Sequence, residues 1–177
     1  MLRRGLILVS VALIAILGWG LWRSYGPRTP PPDLAAQVDR VDRILIEKSA
    51  RRLTASRMGQ TVLEFDIALG FAPVGDKARE GDGKTPEGLF KVDRRNQNSG
   101  YHLSLGLNYP RAKDIARAAE AGIDPGSDIF IHGQPNTLAG ALVLPGDWTA
   151  GCIAISDTEM ETLWRLVDLG TEVEIRP

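Results

Sequence analysis

At 177 residues, 44% of them hydrophobic and 24% charged, the chain can bury one ordinary core without disulfides or structural metal. Its formal net charge is −1, but the first 28 residues hold four arginines and no acid, so the rest carries 17 basic against 22 acidic side chains. That acidic balance argues against nucleic acid as a partner, and a single cysteine excludes an internal disulfide.

In chain order, Arg3 and Arg4 precede an uncharged run from Gly5 to Trp22. At about 1.5 Å per residue this run nearly spans the ~30 Å hydrocarbon core of a bilayer. Residues 1–22 therefore read as an N-terminal membrane anchor or signal segment, with the basic end cytoplasmic and everything after Trp22 on the far side. Gly18-Trp19-Gly20 is a poor small-x-small cleavage site, which favours an uncleaved anchor. Residues 23–39 form a proline-rich linker, expected to run extended, and residues 40–177 form the domain.

Within that domain, Val41–Glu47, Arg52–Met58 and Thr61–Leu69 read as three successive strands, with Gly59-Gln60 as a turn, which predicts an antiparallel start. Gly70–Gly88 is a glycine- and proline-rich loop. Its Gly83-Lys84-Thr85 invites a phosphate-loop reading, but Ala78 stands where the motif needs glycine and Pro86 follows at once. Leu89–Asp93 and Tyr101–Asn108 are further strands. In the second, Tyr101, Leu103, Leu105 and Leu107 share one face, while His102, on the other, is a candidate for lining a polar cleft. Ala112–Ala121 is helical in composition and stops at Gly122. Ser156–Leu169 is the best helix, with Ser156 and Glu159 at capping-box spacing and an apolar stripe of Met160, Leu163, Trp164 and Val167. Thr171–Ile175 closes the chain as an alternating strand. The fold class is mainly β with about two helices.

Asp128 to Ile155 holds the chemistry, namely Cys152 and His132, one of two histidines. Both adjoin short apolar runs, so each sits near a strand end. A thiol is only slightly ionised at neutral pH, so a working cysteine needs a base such as His132. Gly151 lets the backbone turn its N–H groups toward a substrate carbonyl as an oxyanion hole, and Gly133 lets a carbonyl approach and orient the imidazole. The alternative is a buried, inert core cysteine. One cysteine and two histidines, without C-x-x-C or H-x-x-x-H, predict no metal, and no cofactor is expected.

This arrangement resembles the catalytic signature of the L,D-transpeptidase family, the YkuD-type domain. His132-Gly133 is followed, after sixteen residues from Gly133 to Trp148, by Thr149-Ala150-Gly151-Cys152-Ile153, and Thr85-Pro86-Glu87-Gly88-Leu89-Phe90 is similar to the family's T-P-x-G-x-F segment. The resemblance covers most of residues 40–177. It implies an antiparallel β-sandwich-like catalytic domain in the cell envelope, on the periplasmic face of the inner membrane if anchored or in the periplasm if cleaved. It also implies peptidoglycan stem peptides as substrate. Carried over by residue, Cys152 is the nucleophile, His132 the general base, Gly133 the source of the orienting carbonyl, and the Gly151 and Cys152 amides the oxyanion donors. Thr149 and His102 are candidate substrate contacts.

Two positions depart from the family pattern. Ala150 replaces a histidine and Ala154 an arginine, giving T-A-G-C-I-A in place of S-H-G-C-x-R. Removing both polar groups points to hydrolysis of crosslinks or attachments over crosslinking. The rival expectation, from another class, is an inactive membrane-anchored peptidoglycan-binding module.

Overall fold

A computed structural model of the chain describes residues 15, 17 and 38–177. Except for Ala15 and Leu17, the expected anchor lies outside the described residues, as does the proline-rich linker up to residue 37. Among the described residues no helix is long and apolar enough to cross a membrane.

The strands are β1 (Arg43–Glu47), β2 (Arg52–Arg57), β3 (Gln60–Asp66), β4 (Gly88–Asn96), β5 (Ser104–Leu107), β6 (Phe130–His132), β7 (Ile153–Ala154) and β8 (Glu172–Arg176). The helices are α1 (Ala112–Glu120) and α2 (Asp157–Leu166). The mainly-β class with two helices therefore holds. The strands join in one sheet ordered β3-β2-β1-β8-β4-β5-β6-β7.

The expectation of an antiparallel sandwich needs correction. The β1–β2–β3 meander is antiparallel, but β1 pairs with β8 in parallel and so does β6 with β7, so the sheet is mixed. It also curls. Just beyond β3, Ala68 exchanges hydrogen bonds of 2.9 and 2.8 Å with Ala154 of β7, so the two ends of the strand order meet. This bridge draws the ends of the sheet together around a core that includes Ile44, Ile46, Leu53, Leu63, Phe65, Phe90, Leu105, Ile131, Ile153, Val173 and Ile175.

Local chemistry explains where the elements start and stop. The β2–β3 turn is Met58-Gly59, one residue earlier than expected, because both adopt positive φ (50° and 79°) as a tight hairpin requires. The fourth strand runs on to Asn96, past the expected Asp93, because its second half pairs with β5. The capping box of α2 is present, with Ser156 accepting from the Glu159 amide and Glu159 accepting from Ser156 N. Met160, Leu163 and Leu166 bury its inner face. The helix ends at Leu166 instead of Leu169, because Val167 turns extended at φ −104° and ψ 120°.

The largest local correction lies before β5. The predicted strand Tyr101–Asn108 shrinks to Ser104–Leu107, buried on both faces, so its alternation misleads. Tyr101 and His102 belong to a preceding turn, with His102 at φ 62°.

Candidate active site

The site occupies one face of β4–β7. Paired residues in a sheet share a face, and the registers run Arg94↔Gly106↔Phe130 in one row and Asn96↔Ser104↔His132↔Ala154 in the next. Cys152 immediately precedes β7 and adjoins Phe130: the Phe130 N–H points to its Sγ at 3.4 Å, and Sγ points to the Asp128 carbonyl at 3.4 Å. Cys152 and His132, twenty positions apart in the chain, thus occupy adjacent rows of one face.

His132 is buried, at 4% exposure. Its Nδ1 lies 2.7 Å from the Gly133 carbonyl. A carbonyl can only accept, so the proton of the neutral ring sits on Nδ1 and Nε2 keeps its lone pair. Burial holds the imidazole below the ordinary histidine pKa, partly offset by the Gly133 carbonyl. Burial likewise raises the Cys152 thiol, opposed by the Phe130 amide. At neutral pH the resting pair is thiol and neutral imidazole.

The segment before the cysteine is clamped from both sides. Thr149 is buried and its hydroxyl donates to the Cys152 carbonyl at 2.8 Å while accepting from the Gly151 amide at 3.1 Å. Thr149 thereby shapes this turn, and the Gly151 N–H is engaged by its hydroxyl. Asp147 anchors the same segment, accepting from the Leu69 amide at 2.9 Å and from Arg51.

Gly151 has φ +140°, and a Cβ there would lie 2.7 Å from the Lys84 carbonyl and 3.3 Å from Ile129 Cδ1. The Gly83–Gly88 loop thus packs directly on the cysteine turn, held by buried Lys48, which donates to Gly75 O (2.6 Å), Thr85 O (3.0 Å) and Glu87 (2.7 Å). Gly151→Ala is expected to destabilise the domain by about 1–3 kcal/mol through strain and contact with backbone that cannot swing away. A denaturant midpoint equal to wild type at unchanged m would contradict this.

His102 sits in the turn before β5, packed beside Gly133. Its Nε2 pairs with Glu161 of α2 at 3.0 Å, and its backbone is held by Asn136 at 2.6 Å. Its turn matters through a neighbour, since the Tyr101 ring lies 4.6 Å from the His132 ring and 6.0 Å from Trp148, which meets His132 edge-on at 5.8 Å. Sequence reasoning missed this aromatic wall. Trp148 was legible only as the residue before the Thr-Ala-Gly-Cys motif, and its Nε1 is buried without a partner among the described residues. Gln134 was also missed. It is buried and ties Ile155 O (2.7 Å) to the Leu144 amide (2.9 Å), bracing the loop between histidine and cysteine. Among the described residues no cluster of His, Cys, Asp or Glu is arranged to hold a metal ion.

The domain is thus a curled, mainly-β one with Cys152 and the buried, carbonyl-oriented His132 on adjacent rows of one sheet face. The chain belongs to the YkuD family, the L,D-transpeptidase catalytic domain, whose family model matches residues 41–175. Among solved structures it is similar to the helical cell shape determining protein Pgp2 from Campylobacter jejuni, at 28% identity and TM-score 0.61 over 78% of this chain and 48% of that one. It is also similar to Bd1075 from Bdellovibrio bacteriovorus, at 26% identity and TM-score 0.55 over 75% and 46%. An L,D-transpeptidase from Xylanimonas cellulosilytica, 17% identical with TM-score 0.50 over 89% and 68%, shares the fold. The chain spans about half the length of the first two. No curated protein sequence matches it.

Proposed function

We propose that this protein is a cell-wall cysteine acyl-transfer enzyme that acts on peptidoglycan stem peptides through a Cys152 thioester, and that it hydrolyses crosslinks or attachments in preference to forming them. The observation that carries this reading is the placement of Cys152 and His132 on adjacent rows of one sheet face, with the ring fixed by the Gly133 carbonyl. His132 Nε2 takes the thiol proton as Sγ attacks the peptide carbonyl. The tetrahedral oxyanion is stabilised by the Cys152 N–H, the C–N bond breaks, and the leaving amine departs with the proton from His132. Water or an amine then attacks the thioester and regenerates the thiol.

Family membership supports the acyl-transfer chemistry, and the cell-shape role named for Pgp2 fits a wall substrate. The preference for water rests on Ala150 and Ala154. Ala150 is an exposed methyl beside the cysteine turn, and Ala154 stands buried opposite His132. Neither supplies a polar group to bind and deprotonate a bulky acceptor amine, whereas water needs little positioning. The proposed location is the cell envelope, on the periplasmic face of the inner membrane through the N-terminal segment or in the periplasm after its removal.

The deciding experiment incubates the purified protein with defined crosslinked and uncrosslinked muropeptides and separates the products. Cys152-dependent loss of dimers or release of stem peptides is expected. Net formation of dimers would replace hydrolysis by transpeptidation. No turnover, together with no covalent adduct on Cys152 after carbapenem treatment, would leave a peptidoglycan-binding module.

A further inference from the structure

The row that ends at Cys152 begins with a cation. Arg94 of β4 pairs with Gly106 of β5, which pairs with Phe130 of β6, and the Phe130 amide points at Cys152 Sγ. Gly106 is the only position of that row without a side chain, and the arginine lies across the gap. A Cβ at Gly106 would fall 2.3 Å from Arg94 Cγ and 2.6 Å from its Nε. The guanidinium comes to rest 4.7 Å from the centre of the Phe130 ring and donates to Asp128 at 2.9 Å. Phe130 and Asp128 are the two residues whose backbone groups touch the thiol. The adjacent Arg95 does something different, stacking on Trp164 and donating to the Val167 and Trp164 carbonyls at the end of α2.

The ion pair with Asp128 does not by itself account for Arg94. Its side chain is 41% exposed and that of Asp128 69%, and an ion pair so open to water contributes little to folding. An exposed guanidinium stacked on a ring is, however, a preorganised fork for a carboxylate, offering parallel N–H donors at little entropic cost. Asp128 marks where a carboxylate binds that fork.

We propose that Arg94 determines substrate specificity by binding a carboxylate of the peptide whose carbonyl Cys152 attacks, reached through the side-chain gap at Gly106. This rests on the acyl-transfer reading above. The ligand is an acidic peptide, with the carboxylate either at the terminus of the leaving residue or on the side chain of the acyl-donor residue.

The test uses the full chain and a stem tetrapeptide in three forms: the free acid and two analogues, each amidated at one of those carboxylates. For wild type, one amidation is expected to lower kcat/KM by about 10- to 100-fold, mostly through KM. Arg94→Ala should handle acid and amide alike, and Arg94→Lys should recover part of the preference. Gly106→Ala, which displaces the arginine without deleting it, should mimic Arg94→Ala. Which amide is penalised identifies the carboxylate. Equal handling of all three peptides by wild type, or a preference that survives Arg94→Ala, overturns the assignment to Arg94 alone. Calorimetric binding of the same peptides to Cys152→Ala separates the two levels: absence of both wild-type turnover and peptide binding overturns the acyl-transfer reading, and this assignment with it.

Discussion

Cys152→Ala is expected to lower turnover of stem peptides by about 10⁴-fold or more while the domain stays folded. The exchange removes only the sulfur, whose contacts are long ones to the Phe130 amide and the Asp128 carbonyl. Circular dichroism and the denaturation midpoint should therefore match wild type, and the carbapenem adduct expected on the native protein should vanish. Full activity in this variant would end the thiol mechanism. Because burial raises the thiol pKa, alkylation of the free protein by iodoacetamide should reach half its maximal rate above the pH typical of an exposed cysteine. A midpoint below that pH would mean a resting thiolate in place of a neutral thiol.

His132→Ala is expected to cost about 10²-fold or more in kcat/KM through loss of the general base, and His102→Ala far less, since His102 faces Glu161 on α2. The sign of the pH dependence follows from burial. Taking His132 out of water disfavours its charged form, so the base stays available as pH falls through the ordinary histidine range. The acid limb of kcat/KM should accordingly lie below pH ~6.5. A limb above that value, or a His102 variant as damaged as the His132 variant, would show that the wrong histidine has been assigned.

Much of the local structure was legible because its causes are local. Ser156 and Glu159 announced the start of α2, as each satisfies a backbone or side-chain group of the other within one turn. The hairpins of β1–β3 followed from apolar alternation and a turn expected at Gly59-Gln60, one residue late, and His132-Gly133 and Gly151-Cys152 were legible as spaced motifs. Alternation failed at Tyr101–Leu107. It presumes one wet face, and β5 lies between β4 and β6 with both faces buried, so Ser104 and Gly106 are as enclosed as Leu105 and Leu107. The placement of His102 on a strand failed with it.

By itself the sequence singled out Cys152 and His132 as the candidate residues, and determined where turns are permitted and that a mainly-β domain carries them. Only the tertiary structure decided that the sheet is mixed and curled, that Thr149 and the Gly151 amide hold each other, and that Tyr101 and Trp148 wall the imidazole. It alone set Arg94, Gly106, Phe130 and Cys152 in one row. The reason is physical. A strand's period says which side chains share a face, but the partner and register of a distant strand come from backbone hydrogen bonds and core packing summed over the whole sheet, which no short window of residues contains.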